Sequence, residues 1–409
     1  MAYHDLHILP NGMVVIGERL EAVQTAAFTI MLPAGAARMP EGMCGAANVI
    51  ADWIFRGAGQ MDTRQLSDAL DGLGLQRYAA VDHAHLSLGA VMEAGHLQEA
   101  LGLYAQVILR PWLNHGQFEL ARQLALDEVK ALKDDPQELV LLELKERFYP
   151  YPLGRRTVGR LDQLQAICAD RLAALVPLYL CPSQSILAVA GRYDFGAVCS
   201  QIEGSFQGAS GTGPGPVVPG QAGPRYTHIQ QDCAQVHIGL MTPTVGPTDP
   251  DYYNARVAVW VLSGGMSARL FTEVRERRGL CYAVNARYHC LKEAAGVICY
   301  VGTTAEKAQE AVDVIIDQFL HLADGLTDEE LARAKAGLKS ALILNSESSS
   351  RRAAAIAIDY HLLGKVRDLD QIKQAIDAVT VDSVQAFLER RPFGDFTAVT
   401  IGPRPVELP

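Results

Sequence analysis

Seventeen residues at the middle of the chain, Gly208 to Pro224, hold six glycines and four prolines out of a total of 409 residues. Such a stretch lacks the apolar side chains to build a core and reads as a linker between two bodies. The flanking halves resemble each other. "QEA" at Gln98 to Ala100 recurs at Gln309 to Ala311, and "ELAR" at Glu119 to Arg122 recurs at Glu330 to Arg333, both at an offset of 211 residues. Two matches at one offset, each inside a helical pattern, imply an internal duplication. The expected organisation is a first domain over 1–207, a linker over 208–224 and a second, similar domain over 225–409.

Local patterns fit that division. "YAVNARYHC" (Tyr282 to Cys290) and "GVICYVG" (Gly296 to Gly302) read as neighbouring strands around a polar turn, and "LQRYAAVD" and "AHLSLGAV" occupy the matching place earlier. Ala308, Ala311, Val312, Ile315, Ile316, Phe319 and Leu320 keep helical spacing, behind an expected capping box from Thr303 to Glu306. Short turns rather than crossover helices join adjacent strands. The predicted class is therefore α+β: two similar domains, each a mainly antiparallel sheet with helices packed on one face.

Thirty-six basic against 46 acidic side chains give a net charge of −10, which argues against nucleic acid as a partner. Apolar runs such as Ile186 to Gly191 fall far short of the roughly 20 residues of a membrane helix, so no span is expected. The start of the chain runs into a hairpin pattern around Asn11-Gly12 with no export signal, which leaves the compartment open: cytoplasmic or, if a leader was removed, periplasmic. The eight cysteines form no C-x-x-C pair and read as reduced, mostly buried thiols.

The segment "GAANVIADWIFRGAGQMDTRQL" (Gly45 to Leu66) carries most of the chemical information in the first half. Ala46, Val49, Ile50, Trp53 and Ile54 form one apolar stripe, while Asn48, Ala51, Asp52 and Phe55 line another face. Gly45, Ala47, Phe55, Arg56 and Gly57 match the frame G-x-A-H-x-x-E-H-x-x-F-[KR]-G, and the segment resembles the inverted zinc-binding helix of the insulinase, pitrilysin and mitochondrial processing peptidase superfamily. Where that family has two zinc histidines this chain has Asn48 and Asp52, and where it has the water-activating glutamate the chain has Ala51. The resemblance places the third ligand at Glu128, in "ALDEVKAL". Zinc favours imidazole and thiolate over an amide and two carboxylates, and alanine cannot accept a proton. The expectation is a degenerate site with no metal, no cofactor and no catalytic residue of its own.

Other candidates are weaker. His83 and His85 alternate on an expected strand without a third ligand in view. No G-x-S-x-G nucleophile motif is present, and "SGGMS" (Ser263 to Ser267) lacks the Lys-Ser/Thr of a phosphate loop.

In the second half, "LSGGMSARLFTEVRERRGLCYAV" (Leu262 to Val284) is similar to the second-half signature of the same superfamily. "RRTVGRLDQL" (Arg155 to Leu164) and "LTDEELARAKAGLKSAL" extend the resemblance over nearly the whole chain. The resemblance implies that Arg275 and Tyr282 bind substrate from the second domain, the guanidinium donating to a peptide carbonyl and the phenol supporting a developing oxyanion. Read from the residues alone, Arg269, Arg275, Arg277 and Arg278 are a solvent-facing run paired with Glu273 and Glu276, and Tyr282 starts a strand. Loss of the hydrolytic residues with retention of this pair implies a non-catalytic subunit of a two-subunit metallopeptidase. Its partner would be a homologous chain with an intact H-x-x-E-H helix, which supplies the zinc, and its substrate a peptide. The inactive subunit of mitochondrial processing peptidase carries a longer glycine-rich insertion near Ser263 to Ser267, which this chain lacks. Two other classes compete: a structural scaffold subunit of a larger complex, and a stand-alone peptide-binding module.

Overall fold

The computed structural model describes residues 4–209 and 211–408, so Ser210 of the Gly/Pro stretch lies outside the described residues. Thirteen strands form two main sheets and a small hairpin. The first half contributes β1 (His4–Ile8), β2 (Val14–Arg19), β3 (Thr25–Leu32), β4 (Gly57–Ala58), β5 (Met61–Asp62), β6 (Gln76–Val81), β7 (Leu86–Glu93) and β8 (Ile186–Gly191). The second contributes β9 (Tyr226–Gln230), β10 (Val236–Thr244), β11 (Cys281–Cys290), β12 (Ala295–Thr303) and β13 (Thr397–Gly402).

One sheet has the order β1-β2-β8-β3-β7-β6 and the other β11-β12-β10-β13-β9. Read from β6, the first sheet runs β6-β7-β3-β8-β2, which is the second sheet's order strand for strand, with β1 added at the far edge. Among the described residues only β2 with β8 and β9 with β13 pair in parallel. Thr25 and Val236 open β3 and β10, and Ile186 and Thr397 open β8 and β13. Both pairs keep the 211-residue spacing seen in the sequence, so the topology carries the duplication.

The chain divides into two compact units. The first holds the chain up to Ala131, Arg155–Pro219 and Asn345–Arg367; the second holds Leu132–Gly154, Gly220–Leu344 and Asp368 onward. These units depart from the linear halves 1–207 and 225–409. The helix Pro136–Phe148, from the first half, belongs to the second unit, and its duplicate Ser349–Leu363, from the second half, belongs to the first.

In the first unit the period-2 alternation of β3 feeds two layers. Ala26, Phe28, Ile30 and Leu32 join the main core with the helices Ala46–Trp53, Leu97–Leu109, His115–Ala131 and Phe195–Ser205. Met31, Ile16, Ile186 and Ala188 point the other way, onto Ile356 and Ala357 of the exchanged helix. A buried ion pair fastens that helix: Arg352 donates from Nε to Glu18 Oε1 at 2.7 Å, and His4 Nε2 lies 2.7 Å from Glu18 Oε2. The helical layer expected on one face is present, and the exchanged helix covers the second face as well.

The second unit repeats the plan. Ile238, Leu240, Val297, Cys299 and Val301 face the core built with the helices Tyr252–Ser263, Ala308–Leu320, Asp328–Ser346 and Val381–Arg390. Pro136–Phe148 lies on the opposite face, begun by the Asp135 carboxylate accepting from the Glu138 amide with proline in the first turn. It sits so close that a Cβ at Gly239 would come to 3.1 Å of Leu144, and one at Gly296 to 2.9 Å of the Phe148 ring. Leu320, placed in the apolar stripe by spacing, is exposed. The box from Thr303 to Glu306 does not cap the helix, because Thr303 is the last residue of β12 and its hydroxyl donates to the Leu280 carbonyl.

Candidate functional site

The helix Ala46–Trp53 is entered through Gly45, whose φ of +98° is open to glycine. Its apolar stripe is buried as expected, and the Trp53 indole donates to the Asn114 carbonyl at 3.0 Å while its ring packs edge-on to Phe118. That anchoring sets the rotation of the helix. Asn48, Ala51, Asp52 and Phe55 are turned into a cleft of about 630 Å³ that Glu128 also lines. The structure thus assembles, from the helices Ala46–Trp53 and His115–Ala131, the four positions that the sequence singled out.

Their chemistry does not fit zinc. Asn48 offers an amide and Ala51 a methyl group, and the Asp52 carboxylate accepts from the Arg56 guanidinium one turn on. Arg56 donates further to Gln117 Oε1 at 3.3 Å, so a fixed positive charge stands beside the position a cation would take. Glu128 reaches solvent, yet the cleft walls withhold enough water to push its carboxyl above the usual range. Among the described residues no group of three His, Cys, Asp or Glu side chains is arranged to hold a metal.

Two features of the cleft had no sequence signal. One is the Arg56–Asp52 pair, since a match to the family frame says nothing of the partner that Arg56 takes. The other is the wall formed by Arg77 to Val81. These residues belong to β6, one of the two edges of the sheet, and are largely exposed, so one row of its backbone amides and carbonyls is open to a pairing chain. Tyr78 crosses over Gly89, and its hydroxyl meets Thr29 Oγ1 at 2.8 Å, which stiffens this edge.

His83 and His85 lie not on a strand but in the turn between β6 and β7, and both are buried. The His85 ring meets His361 of the exchanged helix edge-on at 4.2 Å. They are core residues of the first unit.

In the second unit, Phe271–Arg277 winds as a π-helix, a wide turn often found at functional positions. Gly279, at φ +58°, then reverses the chain into β11. The result brings Arg275 and Tyr282 together: the guanidinium carbon lies 4.8 Å from the Phe271 ring centroid and 5.2 Å from that of Tyr282. Arg275 therefore lies within cation–π distance of both rings and is itself exposed. Tyr282 is 79% exposed. The neighbouring arginines behave differently: Arg269 forms a two-pronged pair with Glu330 at 2.7 and 2.9 Å, and Arg277 pairs with Glu273 at 2.6 Å. Of the basic run, only part is the solvated, carboxylate-paired surface that the residues alone suggested. Phe271, the second ring beside Arg275, was missed although it stands four residues before it, the ordinary spacing of neighbours on one helical face.

Comparison with known proteins bears on the family and the fold. Residues 14–160 match the model for insulinase, peptidase family M16, and residues 166–338 match the model for the peptidase M16 inactive domain. An uncharacterized zinc protease of Mycobacterium tuberculosis is 27% identical over 403 residues, covering 97% of this chain and 92% of that protein. A protease from Helicobacter pylori superposes with a TM-score of 0.88 at 18% identity, covering 98% of this chain and 100% of the other. A peptidase M16 inactive domain from Pseudomonas fluorescens superposes with a TM-score of 0.85 at 20% identity, covering 100% and 99%. With both halves matched in order and a shared two-sheet fold, the chain belongs to the insulinase family, peptidase family M16.

Proposed function

We propose that this chain is a non-catalytic, peptide-handling subunit that works beside a homologous chain with an intact H-x-x-E-H helix. The observation that carries the reading is the contrast between its two sites. The first-unit cleft keeps its walls and edge strand but has Ala51 at the position of the proton acceptor and Asp52 tied to Arg56. In the second unit Arg275 is clamped by Phe271 and Tyr282, with the phenol left open. A guanidinium fixed in this way can donate to a peptide carbonyl, and the phenol can support the negative charge that grows on that oxygen. The partner would supply the zinc and the nucleophile, and this chain the substrate contacts.

The test is a peptidase assay on the purified chain, on an H-x-x-E-H homologue and on the mixture. The chain alone should be inert and the mixture active in a zinc-dependent way. Arg275→Ala and Tyr282→Phe should each lower kcat/KM of the mixture on the order of a hundredfold. Undiminished cleavage by the isolated, metal-stripped chain would overturn the reading, and so would full activity of the mixture with both substitutions, the result expected of a pure scaffold. Peptide affinity of the chain by itself, lost when the β6 edge is blocked, would favour a stand-alone peptide-binding module.

A further inference from the structure

We propose that β1 is a self-association edge, through which two copies of this chain pair antiparallel and join their six-stranded sheets into one. None of the residues of the proposed peptide sites takes part.

The first argument comes from the duplication. The repeated sheet is complete with five strands, and the 211-residue offset carries His4–Ile8 onto Gly215–Pro219, a "GPVVP" run in the linker that forms no strand. β1 is thus an addition that the fold does not require. It also contributes little to the core: Leu6 is 54% and Ile8 57% exposed, and no β1 residue is fully buried. Edge strands of soluble proteins are commonly guarded by proline, lysine or a bulge. The sequence His-Asp-Leu-His-Ile has neither residue, and its pairing to β2 runs without a register shift.

The second argument is the pattern of side chains. His4, Leu6 and Ile8 pair with Glu18, Ile16 and Val14 of β2 and share their face, the one on which the helix Ser349–Leu363 rests. That helix leaves Leu6 and Ile8 uncovered, as an apolar shelf at the sheet edge. Antiparallel pairing about a two-fold axis at Leu6 sets Leu6 against Leu6 of the second copy and Ile8 against His4, so the two shelves merge. On the other face the same register sets Asp5 against His7 of the second copy, twice. Asp5, which also accepts from the Tyr193 hydroxyl at 3.1 Å, keeps a second oxygen for the imidazole. The strand is thus self-complementary in shape and in its Asp–His pairing, which favours a second copy over an unrelated strand.

Sedimentation velocity through the micromolar range tests this. The wild-type chain should shift with concentration from its 44.3 kDa mass towards twice that value. Leu6→Lys/Ile8→Lys, both at exposed positions, should stay monomeric with an unchanged circular dichroism spectrum. His7→Asp, which sets like charges across both pairs, should weaken self-association about tenfold, while His7→Lys retains it. A wild-type chain that stays monomeric throughout overturns the proposal. So does a dimer that Leu6→Lys/Ile8→Lys leaves intact, or one in which His7→Asp and His7→Lys behave alike.

Discussion

Asp52, the one carboxylate that the helix Ala46–Trp53 turns into the cleft, is tied up by Arg56 four residues on. The stripe on Ala46–Trp53 and the polar face beside it were readable from spacing, because a helix anchored by Trp53 has only one rotation that buries all its apolar positions. What spacing could not show is that Arg56 would turn back onto Asp52, since a long side chain chooses among several partners that only the fold brings near. Zinc titrated into the wild-type chain by calorimetry should give no submicromolar isotherm. Asn48→His with Ala51→Glu and Asp52→His frees Arg56 and restores two imidazoles beside Glu128, and should bind zinc at least about a hundredfold more tightly. An equal isotherm for both chains would mean that the cleft has lost its ligand geometry as well as its ligands.

At the scale of elements, the exchanged helix Ser349–Leu363 depends on a buried charge. Burial alone would raise the Glu18 carboxyl, but hydrogen bonds from His4 and Arg352 and the Arg352 charge together hold it below the usual value. A carboxyl depressed in the folded state binds fewer protons there than in the unfolded chain, so its stabilisation is present at neutral pH and is lost as pH falls through the folded value. Glu18→Gln should therefore flatten the acid limb of the stability curve. Arg352→Met, which strands the Glu18 charge, should cost about 3–5 kcal/mol in urea unfolding at neutral pH. A cost under about 1 kcal/mol would show that Glu18 is solvated instead. β6, β7, β11 and β12 were legible as runs around polar turns, and the helix Ala308–Leu320 from its stripe. The destination of Pro136–Phe148 and Ser349–Leu363 was not. Each carries apolar residues suited to a sheet face, and nothing local in Ala353, Ile356 or Ala357 says which of two similar sheets will receive them.

On the scale of the whole molecule, the duplication was visible in two short repeats, yet the midpoint linker suggested a simpler division than the chain adopts. Passing from one unit to the other, the backbone crosses at five junctions, of which only one lies in the Gly/Pro stretch. That stretch is itself fastened at both ends. Gln184 Nε2 donates to the Thr212 carbonyl at 2.8 Å, and the Gly223 amide donates to the Arg147 carbonyl at 2.8 Å. Between these ties Pro216 to Pro219 is largely open to solvent, with Val218 76% exposed.

Exchange of the two helices turns that exposed stretch into a dispensable thread. A protease nick beside Val218 leaves an amino-terminal piece that owns a helix of the second unit and a carboxy-terminal piece that owns a helix of the first. Neither fragment can leave without stripping a sheet face bare, so the cleaved protein should elute from gel filtration as one particle and separate only in denaturant. Two bands on a denaturing gel beside an unshifted native peak is the expected signature, and release of either fragment under native conditions would contradict it. Severing the backbone in this exposed stretch would then be silent, and fragments made separately could be recombined into the intact architecture.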